Sequence, residues 1–260
     1  MYSQELQRML EAGKLASEVI MDIYNKHSEQ VEIKEDDSPV TQADKQSDKI
    51  IREYLQKYFP DYGLLSEETS DNLIRLTKDY VFIIDPIDGT KDYINHDDEF
   101  AINIALCYKH EIVVGVIFVP AKDEIYYAVK NEGAFLIKNN QTQKIHTSNN
   151  EQKRVLRSRY HTSKNEDAYL EKHHQQILSI EGCGSSYKGC KIASGGAELN
   201  FKLGGGTKEW DTAPIDIIVT EAGGSFTKSN GERYQYNRED VYNHDGFIVL
   251  NKYDEQFFTK

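Results

Sequence analysis

The stretch Val81–Ile94, VFIIDPIDGTKDYI, constrains this chain more than any other. Four apolar residues run directly into Asp85, and only Pro86 and Ile87 separate it from Asp88. A short apolar run ended by Pro and Gly predicts a buried strand. Its C-terminal end then carries two carboxylates, which lose hydration there and repel each other. Pro86 biases Asp85 away from helical backbone and has no N–H, which helps to hold the turn open. Ile87 presents a backbone carbonyl between the acids, and Asp88 is expected to turn back toward Asp85. Gly89 and Thr90 begin a short helix whose free N–H groups can receive an anionic oxygen. Hard oxygens beside such a terminus suit Mg²⁺ holding a phosphate.

Further acids stand at the ends of expected elements. Glu67 and Glu68 end the strand YGLLSEE, and Asp211 in KEWDTAPIDIIVTEAGG is expected as the N-cap of an apolar helix. Pro214 would lie in the first turn of that helix and Gly223 just past its end. Thr41 with Asp44 resembles a capping-box entry to a helix. Taken singly, each has a structural use: Asp88-Gly89 as a turn, Asp211 as a cap, Glu67-Glu68 as a solvated strand end, Thr41 with Asp44 as a capping pair. Taken together they point to a metal-binding cluster.

Around this cluster the chain of 260 residues divides in style. Apolar positions at helical spacing predict an opening helix over residues 3–25, a polar loop to Pro39 and a second helix over 41–59. From Glu99 to Ile137, period-two stretches separated by turn residues predict antiparallel strands. The polar tract KNNQTQKIHTSNNEQK suggests a boundary near residue 147. Beyond it strands and helices alternate, with helices expected at 165–175, 186–195 and 211–222. The expectation is an N-terminal α+β half, residues 1–147, carrying most metal ligands, and an α/β half, residues 148–260, carrying Asp211 and the substrate contacts. A cleft between such halves is a natural site.

The formal net charge of −12 disfavours a nucleic-acid backbone or an anionic membrane as partner. It still admits a small phosphorylated substrate where cations reverse the sign locally. No window reaches the roughly 18 apolar residues of a membrane span. The N-terminus has no apolar segment of the secretory kind, so a cytoplasmic protein is expected. Cys107, Cys183 and Cys190 include no C-x-x-C pair and are expected as free thiols.

The motifs LLSEE, IIDPIDGTKDY and WDTAPIDIIVTEAGG, in that order, resemble the inositol monophosphatase superfamily of Mg²⁺-dependent, lithium-sensitive phosphatases. The resemblance runs from about SPVTQAD to GFIVLN and is nearest to the 3'(2'),5'-bisphosphate nucleotidases. It implies a layered αβαβα sandwich. It also implies two to three Mg²⁺ ions: Glu67, Asp85 and the Ile87 carbonyl for the first, Asp85, Asp88 and Asp211 for the second, and Glu67 with Asp44 through water for a weaker third. Thr90 with Asp44 would orient and deprotonate the attacking water, with Glu67 also in the catalytic set, while the Gly89 and Thr90 amides and Asp211 would contact substrate. A homodimer is a further implication.

Substrate choice rests on two segments. SRYH, ending at His161, resembles the S-R-x-H segment of bacterial bisphosphate nucleotidases, whose His contacts substrate. GSSYKGC resembles their G-S-S-x-K segment, so that Ser185 and Lys188 would approach the nucleotide, the lysine serving its second phosphate. Where related enzymes often carry an arginine, NFKL offers Lys202, which lacks the bidentate fork. The expected reaction is removal of the 3'-phosphate of adenosine 3',5'-bisphosphate, a by-product of sulfate assimilation or sulfotransfer. Inositol-1-phosphate and fructose-1,6-bisphosphate are alternative substrates, and a silent nucleotide-binding protein is the non-enzymatic alternative.

Overall fold

The computed structural model describes residues 1–28, 30–33 and 39–259. Helix α1 (Ser3–Asn25) buries Met9, Ala12, Ala16, Ile20 and Ile23, which recur every three or four residues along one face. Val31–Ile33 (β1) and Pro39–Thr41 (β2) then pair antiparallel, where the sequence suggests only a polar loop. The apolar alternation of V-E-I is too short to stand out, and residues 34–38 of that loop lie outside the described residues. Helix α2 (Gln42–Tyr58) starts on the expected capping box. Thr41 Oγ1 accepts from the N–H of Ala43 and Asp44, and Asp44 Oδ2 accepts from the Thr41 N–H at 2.8 Å.

Seven strands follow in spatial order as in sequence: β3 (Gly63–Ser66), β4 (Tyr80–Asp88), β5 (Ala101–Tyr108), β6 (Glu111–Val119), β7 (Glu124–Val129), β8 (Gly133–Lys138) and β9 (Gln141–Ile145). Only β3 and β4 run parallel. The hairpin between β5 and β6 turns on Lys109 and His110, both at positive φ, the backbone that suits a two-residue connection. Strand β9 lies within the polar tract, before position 147. Its first four residues are exposed and only Ile145 is buried, so the polar tract contains an edge strand. Helix α3 (Thr90–Ile94) is the short connection after β4.

The second sheet takes β10 (Lys153–Ser158), β11 (Ile177–Cys183), β12 (Leu199–Lys202), β13 (Ser225–Lys228) and β14 (Phe247–Leu250), ordered β11-β10-β12-β14-β13. Its first three neighbours are parallel, whereas β14 runs antiparallel to both β12 and β13. Helices α4 (Lys164–Lys172), α5 (Tyr187–Ala193) and α6 (Glu209–Glu221) intervene.

Alternation along the strands sets the layers. Phe82, Ile84, Ile102 and Ile104 bury against α1 and α2. Val81, Ile83, Ala101 and Ala105 face the opposite core with Ile192 of α5 and Ile217 of α6. That core also receives Leu156, Phe226 and Val249 of the second sheet, while Val155, Leu199 and Ile248 pack with Tyr169 and Leu170 of α4. The stack is therefore αβαβα, and its middle core draws on residues from both sides of position 147. Helix α6 lies tight on β6 because residue 115 is glycine: a Cβ there would stand 2.5 Å from Ile217 Cγ2 and 3.0 Å from Pro214 Cα. Among the described residues no helix is long and apolar enough to cross a membrane. The three cysteines are free and buried.

Candidate active site

Strand β4 contains a bulge at the point where the sequence places its acids. Asp85 lies opposite Asn103, and Asp88 lies opposite Ala101. Two residues on β4 thus span one on β5, and the extra residue returns Asp88 to the same face as Asp85. Without it, residues three apart on a strand would point to opposite faces. The bulge is braced locally. Pro86 contributes its carbonyl to Ser47 Oγ of α2 at 3.3 Å, and the Ile87 N–H donates to Asp85 Oδ1 at 3.1 Å.

The third acid arrives from α6. Asp85, Asp88 and Asp211 each offer a carboxylate oxygen, all within 4.8 Å of one another. Asp211 is not the N-cap that the sequence suggests: α6 begins at Glu209, and Asp211 occupies its third position, where Oδ2 accepts from the Lys208 N–H at 2.6 Å. Pro214 accordingly sits beyond the first turn. Glu67 lines the same cavity, outside the compact trio.

Burial raises the pKa values of all three acids, and for Asp85 and Asp211 the neighbouring carboxylates add to it. Burial, then the charges of Glu67, Asp88, Asp211 and Asp44, push Asp85 well above the usual carboxylate range. Burial, Asp88 and Glu67 do the same for Asp211. Asp88 is raised by burial, against the opposing effects of Lys188, Ser186 and Asn103. Hard carboxylate oxygens forced together in this way fit a divalent cation, which removes the repulsion that burial amplifies.

Next to the trio, Gly89 takes φ 85° and caps α3. A side chain there would be strained and would crowd Ser185 Cβ at 3.0 Å. Thr90 Oγ1 lies 3.3 Å from the Ile87 carbonyl and 3.5 Å from Asp44 Oδ1, two acceptors within reach of its one hydroxyl proton. Capping α2 thus occupies one oxygen of Asp44 and turns the other toward Thr90.

A cavity of about 530 Å³ extends from these groups. Its lining includes Glu67, Asp88, Gly89, Thr90 and Asp211 together with His161, Ser185, Lys188 and Lys202. Every substrate contact expected from the sequence therefore borders one space. Several of them also have partners within the protein. Ser185 takes positive φ and donates its hydroxyl to the Glu99 carbonyl. Lys188 Nζ donates to the carbonyls of Ser185 at 2.7 Å and Cys183 at 3.2 Å. Lys202 forms an ion pair with buried Glu166 at 3.2 Å.

Sequence reasoning passed over several residues here. Asn103, fully buried, receives the Ser186 hydroxyl on Oδ1 at 2.7 Å and donates to Asp88 Oδ2 at 3.3 Å. A lone amide in the apolar run AINIALC was its available signal. Arg159, the R of SRYH, binds Asp92 at 2.7 Å and Glu99 at 2.6 Å, so it fastens the His161 loop to α3 and to the segment after it. Asn200 also lines the cavity. Its Nδ2 donates to the Leu156 carbonyl, and its Oδ1 has no hydrogen-bond partner among the described residues.

Residues 2–259 match the sequence profile described as the inositol monophosphatase family. The chain belongs to this family. The 3'(2'),5'-bisphosphate nucleotidase CysQ of Salmonella typhimurium is 33% identical over 248 residues, which cover 94% of this chain and 98% of that protein. A histidinol-phosphatase of Chlorobaculum parvum is 31% identical over 257 residues, 95% of this chain and 92% of the relative. The crystal structure of CysQ from Bacteroides thetaiotaomicron superposes with a TM-score of 0.84 at 28% identity, covering 98% of this chain and 99% of the other. As a phosphatase of the inositol monophosphatase family, the chain uses the bulge in β4 and the start of α6 to gather three acids beside a cationic wall.

Proposed function

We propose that this chain is a Mg²⁺-dependent phosphomonoesterase that converts adenosine 3',5'-bisphosphate to AMP and phosphate. One observation carries the reading: a single cavity is lined both by Asp88 and Asp211 of the acid trio and by His161, Lys188 and Lys202. A substrate with a reacting phosphate and a second, non-reacting one matches that division. The similarity to CysQ proteins named as bisphosphate nucleotidases supports the same substrate. The histidinol-phosphatase relative suggests another, yet the cationic amine of histidinol phosphate would face repulsion from the lysine-bearing wall.

Asp85, Asp88 and Asp211, with Glu67 and the Ile87 carbonyl, are the groups that would hold Mg²⁺. When bound, the cation neutralises charge on the phosphoryl and leaving oxygens and makes water more acidic. The amides at Gly89 and Thr90 point their dipoles at the phosphate. Thr90 orients the attacking water and Asp44 takes its proton. The water oxygen bonds to phosphorus as the bond from phosphorus to the 3' oxygen breaks, and that oxygen leaves with a proton from solvent. Positioning and electrostatics supply the catalysis, and no side chain becomes covalently attached.

A phosphate-release panel tests this reading. Adenosine 3',5'-bisphosphate should be hydrolysed with Mg²⁺ in preference to inositol 1-phosphate, fructose 1,6-bisphosphate and histidinol phosphate, and lithium should inhibit. Faster release from inositol 1-phosphate would overturn the substrate while leaving the roles of the acids in place. Tight nucleotide binding with no turnover under any metal would overturn the enzymatic reading itself.

A further inference from the structure

The cations along the cavity wall are not equivalent, and the least expected of them is the best placed. Lys91, one residue after Thr90 in α3, puts its Nζ 3.0 Å from His161 Nε2. Lysine only donates, so His161 accepts through Nε2 and keeps its Nδ1–H as a donor. Burial, followed by the charges of Lys91, Lys202 and Lys188, holds the His161 imidazole below its ordinary pKa. A neutral ring beside an ammonium is the state this arrangement favours.

Lys202 is already compensated, because the buried carboxylate of Glu166 lies 3.2 Å away. Lys188 is turned back onto the carbonyls of Cys183 and Ser185, which hold the Gly184–Lys188 segment in shape. Lys91 forms no ion pair with any described residue, and the His161 ring beside it brings no negative charge. An uncompensated ammonium on the wall of a cavity that Lys188 also lines is a site for an anionic oxygen. Its position on α3 also fixes it relative to Gly89 and Thr90, so an anion bound to it is held at a set distance from the reacting phosphate.

We infer that Lys91, steadied by His161, is the residue by which this phosphatase selects a substrate bearing a second phosphate, and that Lys202 is not. The assignment rests on the bisphosphate reading above. Lys91 provides the charge-assisted hydrogen bond, the His161 Nδ1–H provides a neutral one, and the Lys202–Glu166 pair shapes the wall without a net charge.

Steady-state kinetics on adenosine 3',5'-bisphosphate and adenosine 3'-monophosphate test it, with Mg²⁺, for wild type, Lys91→Met, Lys91→Arg and Lys202→Met. Lys91→Met should lower the preference for the bisphosphate by roughly tenfold or more, through KM, and Lys91→Arg should retain most of it. Lys202→Met should change the preference less than Lys91→Met does. Added salt should raise KM for the bisphosphate in wild type and do so less in Lys91→Met, a response that a purely structural role would not give. Equal losses on both substrates, or a larger loss of preference in Lys202→Met, would overturn the assignment. Wild type that prefers inositol 1-phosphate would instead remove the bisphosphate reading, and this assignment with it. Wild type that prefers the bisphosphate while Lys91→Met keeps that preference removes the assignment alone.

Discussion

The side-chain amide of Asn103 donates to the carbonyl oxygen of Trp210 at 3.2 Å. In an unbroken helix that carbonyl would receive the N–H of residue 214, four positions on, but residue 214 is proline and has none. Strand β5 therefore supplies the hydrogen bond that α6 lacks. The same amide reaches Asp88 at 3.3 Å, so one residue ties the bulged strand to the helix that carries Asp211.

That substitution of partners is measurable. Asn103→Ala should destabilise the protein by about 2 kcal/mol, since it strands a buried carbonyl and the Ser186 hydroxyl. Pro214→Ala restores a helical N–H beneath Trp210. Urea unfolding of the two single variants and the double variant should give a coupling of about 1 kcal/mol, with Asn103→Ala less costly in the Pro214→Ala background. Strict additivity would show that the Trp210 carbonyl is not the shared partner.

Removing one carboxylate should separate metal binding from folding. Wild type should gain thermal stability on addition of Mg²⁺, because the ion binds only the folded arrangement of acids. Asp88→Asn should fold, should melt no lower than wild type without metal because one repelling charge is gone, and should lose most of the Mg²⁺-induced shift together with nearly all activity. Differential scanning calorimetry with and without Mg²⁺ reads both effects. Near-normal turnover in this variant would sink the assignment of Asp88 as a ligand.

Glu198 makes stability depend on pH. Its carboxylate is buried and accepts from Ser148 Oγ, Asn150 Nδ2 and three groups of Arg154. Burial alone would raise its pKa, but the Arg154, Ser148 and Asn150 donors outweigh it and hold the group at about 2. An unfolded glutamate titrates near about 4.3. The folded state thus binds this proton less readily, so the stabilisation is present above about pH 4.3 and is lost as pH falls toward about 2. Glu198→Gln should cost about 2 kcal/mol at pH 7 in urea unfolding and less at pH 3. An equal cost at both pH values would contradict the mechanism.

Gly115→Ala probes how closely α6 rests on β6. The added methyl meets Ile217 Cγ2 and the Pro214 backbone, and the backbone cannot rotate away. A loss of about 1–3 kcal/mol is expected. Turnover should fall as well, since displacement of α6 moves Asp211 relative to Asp85 and Asp88. Unchanged kinetics alongside reduced stability would place the strain elsewhere.

Much of this arrangement was legible in the residues, and what was not has identifiable causes. Helical spacing located α1, and the capping pair Thr41 and Asp44 located the start of α2, because both signals are local. The acids at strand and helix ends were visible for the same reason. The sequence puts Asp211 at the helix boundary, whereas α6 starts two residues earlier on Glu209, behind a lysine that gives no capping cue. Strand β9 was hidden by its exposure, which removes the alternation that a half-buried strand shows. The Lys202–Glu166 pair joins residues that only the packing of α4 on the second sheet brings together, and no spacing rule reaches across such a distance. Lys91 was obscured by standing inside a motif whose neighbours had more evident uses.

In a β-strand, odd and even positions answer to different environments. The extra residue at Pro86-Ile87 exchanges odd for even at one place only. Upstream, Val81 to Ile84 keep the count that fills two cores, and downstream Asp88 takes the count that serves the cavity. The interior can therefore change composition by apolar substitution without re-aiming Asp88. A single-residue insertion or deletion between positions 85 and 88 would instead reverse its direction while altering no apolar contact upstream. For this strand, the aim of Asp88 depends on the number of residues between the acids more than on which residues they are.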